Sequence, residues 1–180
     1  LYDGAKLTAG QTGDAAQIAR FFGLRNTEFR GGLRAAVGDV NGDGTPDLVV
    51  AAGFGGAPVV AVYSGLEIVR RADALNKQAV PDSSFQLVSD FFVFESTLRY
   101  GAYPAVGDVD GDGFADVVVG AGLTGAPRVR VISGRVLRGV RDLTSIAAAV
   151  PASAGLVLAD YFAGDVATAG YYSYPRLATT

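Results

Sequence analysis

Short apolar runs separated by glycine-rich turns dominate the pattern of hydrophobic and polar positions along the chain. Residues 48–52 and 117–121 are continuous apolar runs rich in β-branched side chains, which is typical of strands buried on both faces. Residues 59–63 and 129–133 follow after a short turn and are predicted as further strands. The pattern therefore predicts a chain built from many short β-strands.

The same pattern predicts a strand before each of these runs and a helix after one of them. Residues 34–40 and 105–109 predict first strands that continue directly into a polar loop. Arg128 and Arg130 alternate with valines, so we expect one solvated strand face there. Residues 70–77 are helix formers and predict a short helix at the outer edge.

Pairs of aromatic residues recur at steps of 70 residues and mark one more strand in each unit. The pairs are Phe21 with Phe22, Phe91 with Phe92, and Tyr161 with Phe162. Aromatic side chains contribute the largest buried areas in protein cores. We therefore expect these pairs in the core rather than on a binding surface.

One long stretch of the chain occurs twice. Residues 38–65 and 107–134 align without a gap at a spacing of 69 residues, and 18 of the 28 positions are identical. Self-similarity of this kind indicates a series of equivalent supersecondary units rather than one irregular domain.

Each copy begins with oxygen-bearing side chains at alternate positions of a nine-residue loop. Positions 1, 3, 5 and 9 are Asp39, Asn41, Asp43 and Asp47 in the first loop, and Asp108, Asp110, Asp112 and Asp116 in the second. Position 7, which is Thr45 or Phe114, can add its backbone carbonyl. Ca²⁺ takes six to eight oxygen ligands in flexible geometry, so each loop is predicted to bind one Ca²⁺.

Other interpretations of the loops are weaker. An EF-hand needs a Glu at position 12, where this chain has Val50 and Val119 inside apolar runs. Mg²⁺ demands a stricter octahedral geometry than such a loop provides. A plain turn explains Asp and Gly separately, but not four oxygen groups at matched spacing in two copies.

Composition excludes several classes of chemistry. The chain has no His and no Cys, which excludes zinc sites built on those residues, cysteine nucleophiles and Ser-His-Asp catalysis. The net charge is −3 and no basic patch is apparent, so no nucleic-acid partner is expected. No apolar stretch is long enough to predict insertion into a membrane.

The loop, the strand after it and the segment Phe54-Gly55-Gly56-Ala57-Pro58 resemble FG-GAP repeats. The second copy keeps Gly125-Ala126-Pro127 but has Leu-Thr in place of Phe-Gly. Such repeats occur in integrin α-subunit propellers and in bacterial surface proteins. The resemblance implies β-propeller blades with Ca²⁺ in the loop between the first two strands of each blade.

The predicted fold is therefore all-β, with propeller-like blades of four antiparallel strands in a partial propeller of about two to three blades. We expect one array with units at 1–33 (the end of a repeat and a connector), 34–103, 104–173 and 174–180 (the start of a further repeat). The remaining blades would come from the rest of a longer chain or from self-association.

The resemblance and the lack of a catalytic constellation predict a non-catalytic, calcium-stabilised binding or adhesion module of a secreted or cell-surface protein. Its partner would be a protein or a carbohydrate ligand. Two alternatives stay open: a propeller domain of a lyase-like enzyme acting on polysaccharides, and a purely structural spacer. Only the tyrosines favour the enzyme, and we expect them in core or inter-blade packing. They are Tyr100, Tyr103, Tyr171, Tyr172 and Tyr174.

Overall fold

The described residues form two four-stranded antiparallel sheets, and the strands of each sheet follow chain order. The computed structural model describes residues 1–76, 80–123, 125–140, 143, 146 and 155–163. The first sheet contains β1 (Leu33–Gly38), β2 (Asp47–Ala52), β3 (Val59–Tyr63) and β4 (Gln86–Phe92). The second contains β5 (Ala102–Gly107), β6 (Asp116–Ala121), β7 (Arg128–Ile132) and β8 (Val157–Phe162). The predicted all-β, partial-propeller fold of four-stranded blades is confirmed.

The helices in the described part of the chain are short. They are α1 (Gly4–Thr8), α2 (Gly65–Arg70), α3 (Ala72–Leu75) and α4 (Gly134–Leu137), with one 3₁₀ turn at Gly13–Ala15. None of the described helices is long and apolar enough to cross a membrane. The single helix predicted over 70–77 is instead divided: α2, capped by the Ser64 side chain, ends at Arg70, and α3 spans only Ala72–Leu75. Residue 77 lies outside the described part.

The first residues repeat the end of a blade, as their sequence indicates. Asp3 N donates to Ala16 O at 2.8 Å, just as Ser64 N and Ser133 N donate to the residue just before the following strand in their own blades. The strand predicted at Phe21 and Phe22 is wrong, and Phe22 is 47% exposed.

All six residues of β2 are buried, so the prediction of a strand covered on both faces is confirmed there, whereas in β6 Val118, Gly120 and Ala121 are only half-buried. Val49 and Ala51 belong to a core shared with the second sheet, which contributes Val117, Val119 and Ile132 to it. The alternate residues of β2 belong to a second core on the other face of the first sheet, which the N-terminal segment covers. They are Leu48, Val50 and Ala52, and the segment adds Ala19 and Leu24.

The two blades differ in how their matching faces are covered. Phe91 is fully buried in the core between the sheets, as predicted. Tyr161 and Phe162 are 50% and 42% exposed, so their predicted core position is wrong. The reason is geometric: Phe91 packs against the second sheet, whereas the matching face of the second sheet has no further sheet against it in the described part of the chain.

The prediction of a solvated face at the two β7 arginines is wrong for Arg130. Its side chain is only 3% exposed and contacts Asp160 at 2.5 Å. It also donates to the backbone oxygens of Val93 and Ile146. Arg128 contacts the same Asp160 at 2.7 Å and Glu95 at 2.9 Å. The alternation in β7 could not reveal this, since the neutralising carboxylate lies on β8, which pairs with β7.

Val40 and Val109 occupy the same position in the two copies and provide a matched pair. Val40 is fully buried in the core between the sheets, whereas Val109 is 56% exposed. We expect Val40→Ala to lower the free energy of unfolding by about 2–3 kcal/mol, through lost burial and a residual cavity. Val109→Ala should change it by less than about 0.5 kcal/mol. Urea unfolding of both variants checks this, and equal losses in the free energy of unfolding would contradict the packing of the second sheet on Val40.

Candidate metal centres

Both predicted ligand loops connect the first and second strands of a blade. In the first sheet Gly38 pairs with Asp47, and in the second Gly107 pairs with Asp116. Because the strands are paired up to these residues, position 1 of each loop starts beside position 9. The hairpin therefore brings the two ends of each predicted ligand set together.

The position-1 carboxylates organise the loop backbone. Asp39 accepts hydrogen bonds from Gly42 N and Asp43 N on one oxygen and from Gly44 N on the other, at 2.8–3.0 Å. Asp108 accepts the three matching bonds in the second loop, at 2.8–3.1 Å. Such a wrap requires a positive φ at the glycines. The values are +74° at Gly42, +83° at Gly44, +77° at Gly111 and +87° at Gly113.

The side chains at positions 3 and 5 form the next turns of each loop. Position 3 accepts from the backbone N–H of position 5, at 2.8 Å for Asn41 and 3.1 Å for Asp110. Position 5 accepts from the N–H of position 7, at 2.8 Å for Asp43 and 3.0 Å for Asp112. Each of these side chains uses one oxygen for its turn.

The position-9 carboxylates are fully buried. Asp47 accepts hydrogen bonds from Val40 N, Asn41 N and Gly65 N, at 3.0–3.1 Å. Burial raises the pKa of Asp47 to about 6, against the lowering effect of the Gly65 N–H, and the nearby Asp43 charge raises it further. None of the ion pairs among the described residues includes Asp47 or Asp116. A buried carboxylate without a cationic side chain is suited to a bound cation.

The two loops differ in how closely carboxylates approach one another. Asp108, Asp110 and Asp116 each offer an oxygen within 4.8 Å of the others. In the first loop Asn41 replaces Asp110, and its Nδ2 donates to Asp43 Oδ2 at 2.9 Å. The amide therefore offsets part of the negative charge in the first loop, whereas the second has no such donor at position 3.

The donor sets fit Ca²⁺ chemically, because every predicted side-chain ligand in both loops offers oxygen. The structure gathers three of the predicted second-loop ligands, while Asp112 lies outside that close group. The backbone carbonyls of Thr45 and Phe114 stay predicted ligands.

Sequence reasoning missed the glycine that closes each site. Gly65 N and Gly134 N donate to Asp47 and Asp116, both at 3.0 Å. A Cβ placed on Gly65 would lie 1.9 Å from Pro46 O, and one on Gly134 would lie 2.1 Å from Ala115 O. Only glycine fits such a close approach without a shift of the backbone. The signal in the sequence is the Ser-Gly pair that ends both copies of the repeat.

Two tyrosines considered for a sugar site contact the neighbouring blade. The Arg34 guanidinium of β1 lies 3.8 Å from the ring centroid of Tyr103 on β5. Tyr100 makes an edge contact with Phe54 at a centroid distance of 5.1 Å. Both tyrosines therefore contact the neighbouring blade, although Tyr103 stays 54% exposed and does not lie in the core. The other three, Tyr171, Tyr172 and Tyr174, lie outside the described residues, as does the predicted unit at 174–180.

Comparison with known families agrees with the repeats seen in sequence and structure. A family model described as the FG-GAP repeat matches residues 31–65 and 101–136. Each match contains one ligand loop and the first three strands of one sheet. No curated protein and no solved structure matches the chain.

Proposed function

The chain carries two FG-GAP repeats, and from that premise we propose that it is a calcium-stabilised binding or adhesion module of a secreted or cell-surface protein. FG-GAP repeats are blades of β-propellers and suggest a module that binds rather than one that catalyses. The proposed units are those predicted from the sequence, with boundaries near residues 33, 103 and 173.

One observation carries the calcium part of the proposal. In each loop position 9 is a fully buried carboxylate that no ion pair among the described residues neutralises, and in the second loop its oxygen lies within 4.8 Å of oxygens at positions 1 and 3. Bringing several carboxylates together opposes folding, since unit charges about 4 Å apart repel by about 1 kcal/mol in water and about 4 kcal/mol at an effective dielectric of 20. A bound Ca²⁺ would supply the positive charge that offsets this repulsion.

The chain's own residues support a structural role for these sites. Asp47 and Asp116 tie the loop to the start of β2 or β6, and their second oxygen binds the glycine that begins α2 or α4. Each site therefore links the first three strands of its blade. We propose that Asp39, Asn41, Asp43 and Asp47 with the Thr45 carbonyl, and Asp108, Asp110, Asp112 and Asp116 with the Phe114 carbonyl, form the two ligand sets.

The proposed partner is a protein or a carbohydrate ligand at the surface, with no role for nucleic acid or for membrane insertion. The modest net charge of −3 supports this choice. The first sheet buries one face against the second sheet, and the matching face of the second sheet, which carries Tyr161, is exposed. This exposed face supports the packing of a further blade there. We propose that such blades come from a longer chain or from self-association.

Calorimetric titration of single-loop variants tests the proposal. The wild type should bind two Ca²⁺ per chain, and Asp43→Ala and Asp112→Ala should bind one each. The intact second loop of Asp43→Ala should bind about five-fold or more tightly than the intact first loop of Asp112→Ala. One additional carboxylate near a divalent ion contributes at least about 1 kcal/mol.

Asn41→Asp serves as the matched variant, because it gives the first loop the same carboxylate count as the second. It should narrow the difference between the two affinities. Equal or reversed affinities in the single-loop variants would show that loop rigidity, not charge, sets the order. No bound Ca²⁺ in the wild type would overturn the proposed calcium sites.

A further inference from the structure

The two ligand loops contact each other directly. Ala115 N, at position 8 of the second loop, donates a hydrogen bond to the backbone oxygen of Asp39 at 2.8 Å. Asp39 is position 1 of the first loop, and its carboxylate holds three backbone N–H groups of that loop. The backbone of one loop is therefore fixed to the residue that organises the other.

A side chain makes the second contact between the loops. A Cβ placed on Gly42 would lie only 2.4 Å from Cε1 of Phe114, so the Phe114 ring packs directly on the backbone of the first loop. The Arg138 guanidinium lies 4.6 Å from the centroid of the same ring. Phe114 occupies position 7 of the second loop, between the proposed ligands at positions 5 and 9.

The matching residues of the two loops differ in their contacts with a neighbouring blade. A Cβ placed on Gly111, which matches Gly42, would have no neighbouring atom within 4 Å among the described residues. Val40 is fully buried against the second blade, while Val109 is 56% exposed. The first loop thus contacts the second loop at Gly42 and Val40 packs on the second blade, whereas the matching residues Gly111 and Val109 have no such neighbour among the described residues.

We propose that the two loops bind their cations cooperatively, with Phe114 and Ala115 as the coupling contact. The inference rests on the proposed calcium sites and adds a communication between them. Ordering of the second loop between positions 5 and 9 fixes the Phe114 ring and the Ala115 N–H, and these fix Gly42 and Asp39. Linkage requires the effect to be reciprocal, so occupancy of either loop raises the affinity of the other by the same factor.

The expected coupling is about 5- to 20-fold, at the lower end of measured couplings between sites, because it passes through one hydrogen bond and one ring contact. A Ca²⁺ titration followed by amide NMR resolves the two loops, with Gly42 and Gly44 reporting on the first and Gly111 and Gly113 on the second. In Asp112→Ala the first loop should bind more weakly than in the wild type by the coupling factor. In Asp43→Ala the second loop should weaken by the same factor.

Phe114→Ala keeps the backbone carbonyl and removes the ring. Both loops should still bind Ca²⁺, and the coupling factor should fall to about two-fold or less, from the Ala115 bond alone. Phe114→Leu should retain part of the coupling and serves if the alanine variant folds poorly. Phe22→Ala, the same truncation at an exposed phenylalanine of the N-terminal segment outside both loops, should leave the coupling unchanged.

The outcomes separate this inference from the proposed function. If both loops bind Ca²⁺ but each loop has the same affinity in the wild type as in its single-loop variant, the coupling is overturned and the calcium sites stand. Full coupling retained in Phe114→Ala would overturn the assigned contact. Absence of binding at both loops would overturn the proposed sites and the coupling with them.

Discussion

Removal of Ca²⁺ is expected to lower the midpoint of thermal unfolding by about 10–20 °C. A cation at a hundred times its dissociation constant stabilises the native state by about 2.7 kcal/mol per site, and two sites contribute about 5 kcal/mol. In a chain of this size each kcal/mol shifts the midpoint by about 2–4 °C. The effect is large because each site holds a buried carboxylate, Asp47 or Asp116, that takes part in no ion pair among the described residues.

Calorimetric scans in excess Ca²⁺ and in chelator measure this difference. The double variant Asp43→Ala/Asp112→Ala is the control, since it should unfold at the same temperature in both conditions. Mg²⁺ at the same concentration should stabilise the wild type less, because it demands stricter geometry. A wild-type midpoint that is the same in Ca²⁺ and in chelator would contradict a structural role for the loops.

Asp160→Asn is expected to lower the free energy of unfolding by about 2–4 kcal/mol. Arg130 is nearly fully buried, and Asp160 is the only carboxylate paired with it among the described residues. Removing one partner of a buried pair leaves an uncompensated charge, which costs about 3–5 kcal/mol when both groups are buried. The expected loss is smaller here, because the Asp160 side chain is 29% exposed.

The pH dependence of this loss follows from the pKa of Asp160. Hydrogen bonding from Arg128 foremost, with a further bond from Arg130, holds that pKa below the ordinary 3.8. A lowered pKa in the folded state gives stabilisation that is complete above the unfolded-state pKa and is lost as the pH falls through the folded-state value. The stability difference between wild type and Asp160→Asn should therefore be constant from about pH 5 to 7 and shrink below about pH 4.

Glu95→Gln provides the matched control for the same cluster. Glu95 pairs with Arg128 at 2.9 Å, but its side chain is 53% exposed, so its loss should change the stability by less than about 1 kcal/mol. Urea unfolding at neutral pH compares the two variants. Equal losses of stability in the two variants would show that the burial of Arg130 does not make its pair with Asp160 more important than the exposed pair of Glu95 with Arg128.

The blade architecture could be predicted from the sequence because its signals are local. The apolar runs that became β2 and β6 and the repeat at 69 residues required no knowledge of distant contacts. The structure of the loops could also be predicted from the sequence, since the Asp and Gly spacing determines the turns through hydrogen bonds between residues two to five apart.

What the sequence could not show depends on contacts between blades. Val40 and Val109 occupy the same position of the repeat, yet only Val40 is buried, because the second blade packs on it. Phe91 and Tyr161 differ for the same reason. Arg130 was expected in solvent because the alternation within β7 does not reveal Asp160 on β8 or the backbone oxygens that surround its guanidinium.

The most direct test of the two calcium sites is an anomalous difference map from crystals grown with Ca²⁺. It should show two peaks per chain, one in each loop, within about 2.3–2.6 Å of the side-chain oxygens at positions 1, 3, 5 and 9 and of the carbonyl at position 7. Loops without a peak at saturating Ca²⁺, with Asp47 and Asp116 bonded only to the backbone, would contradict the account.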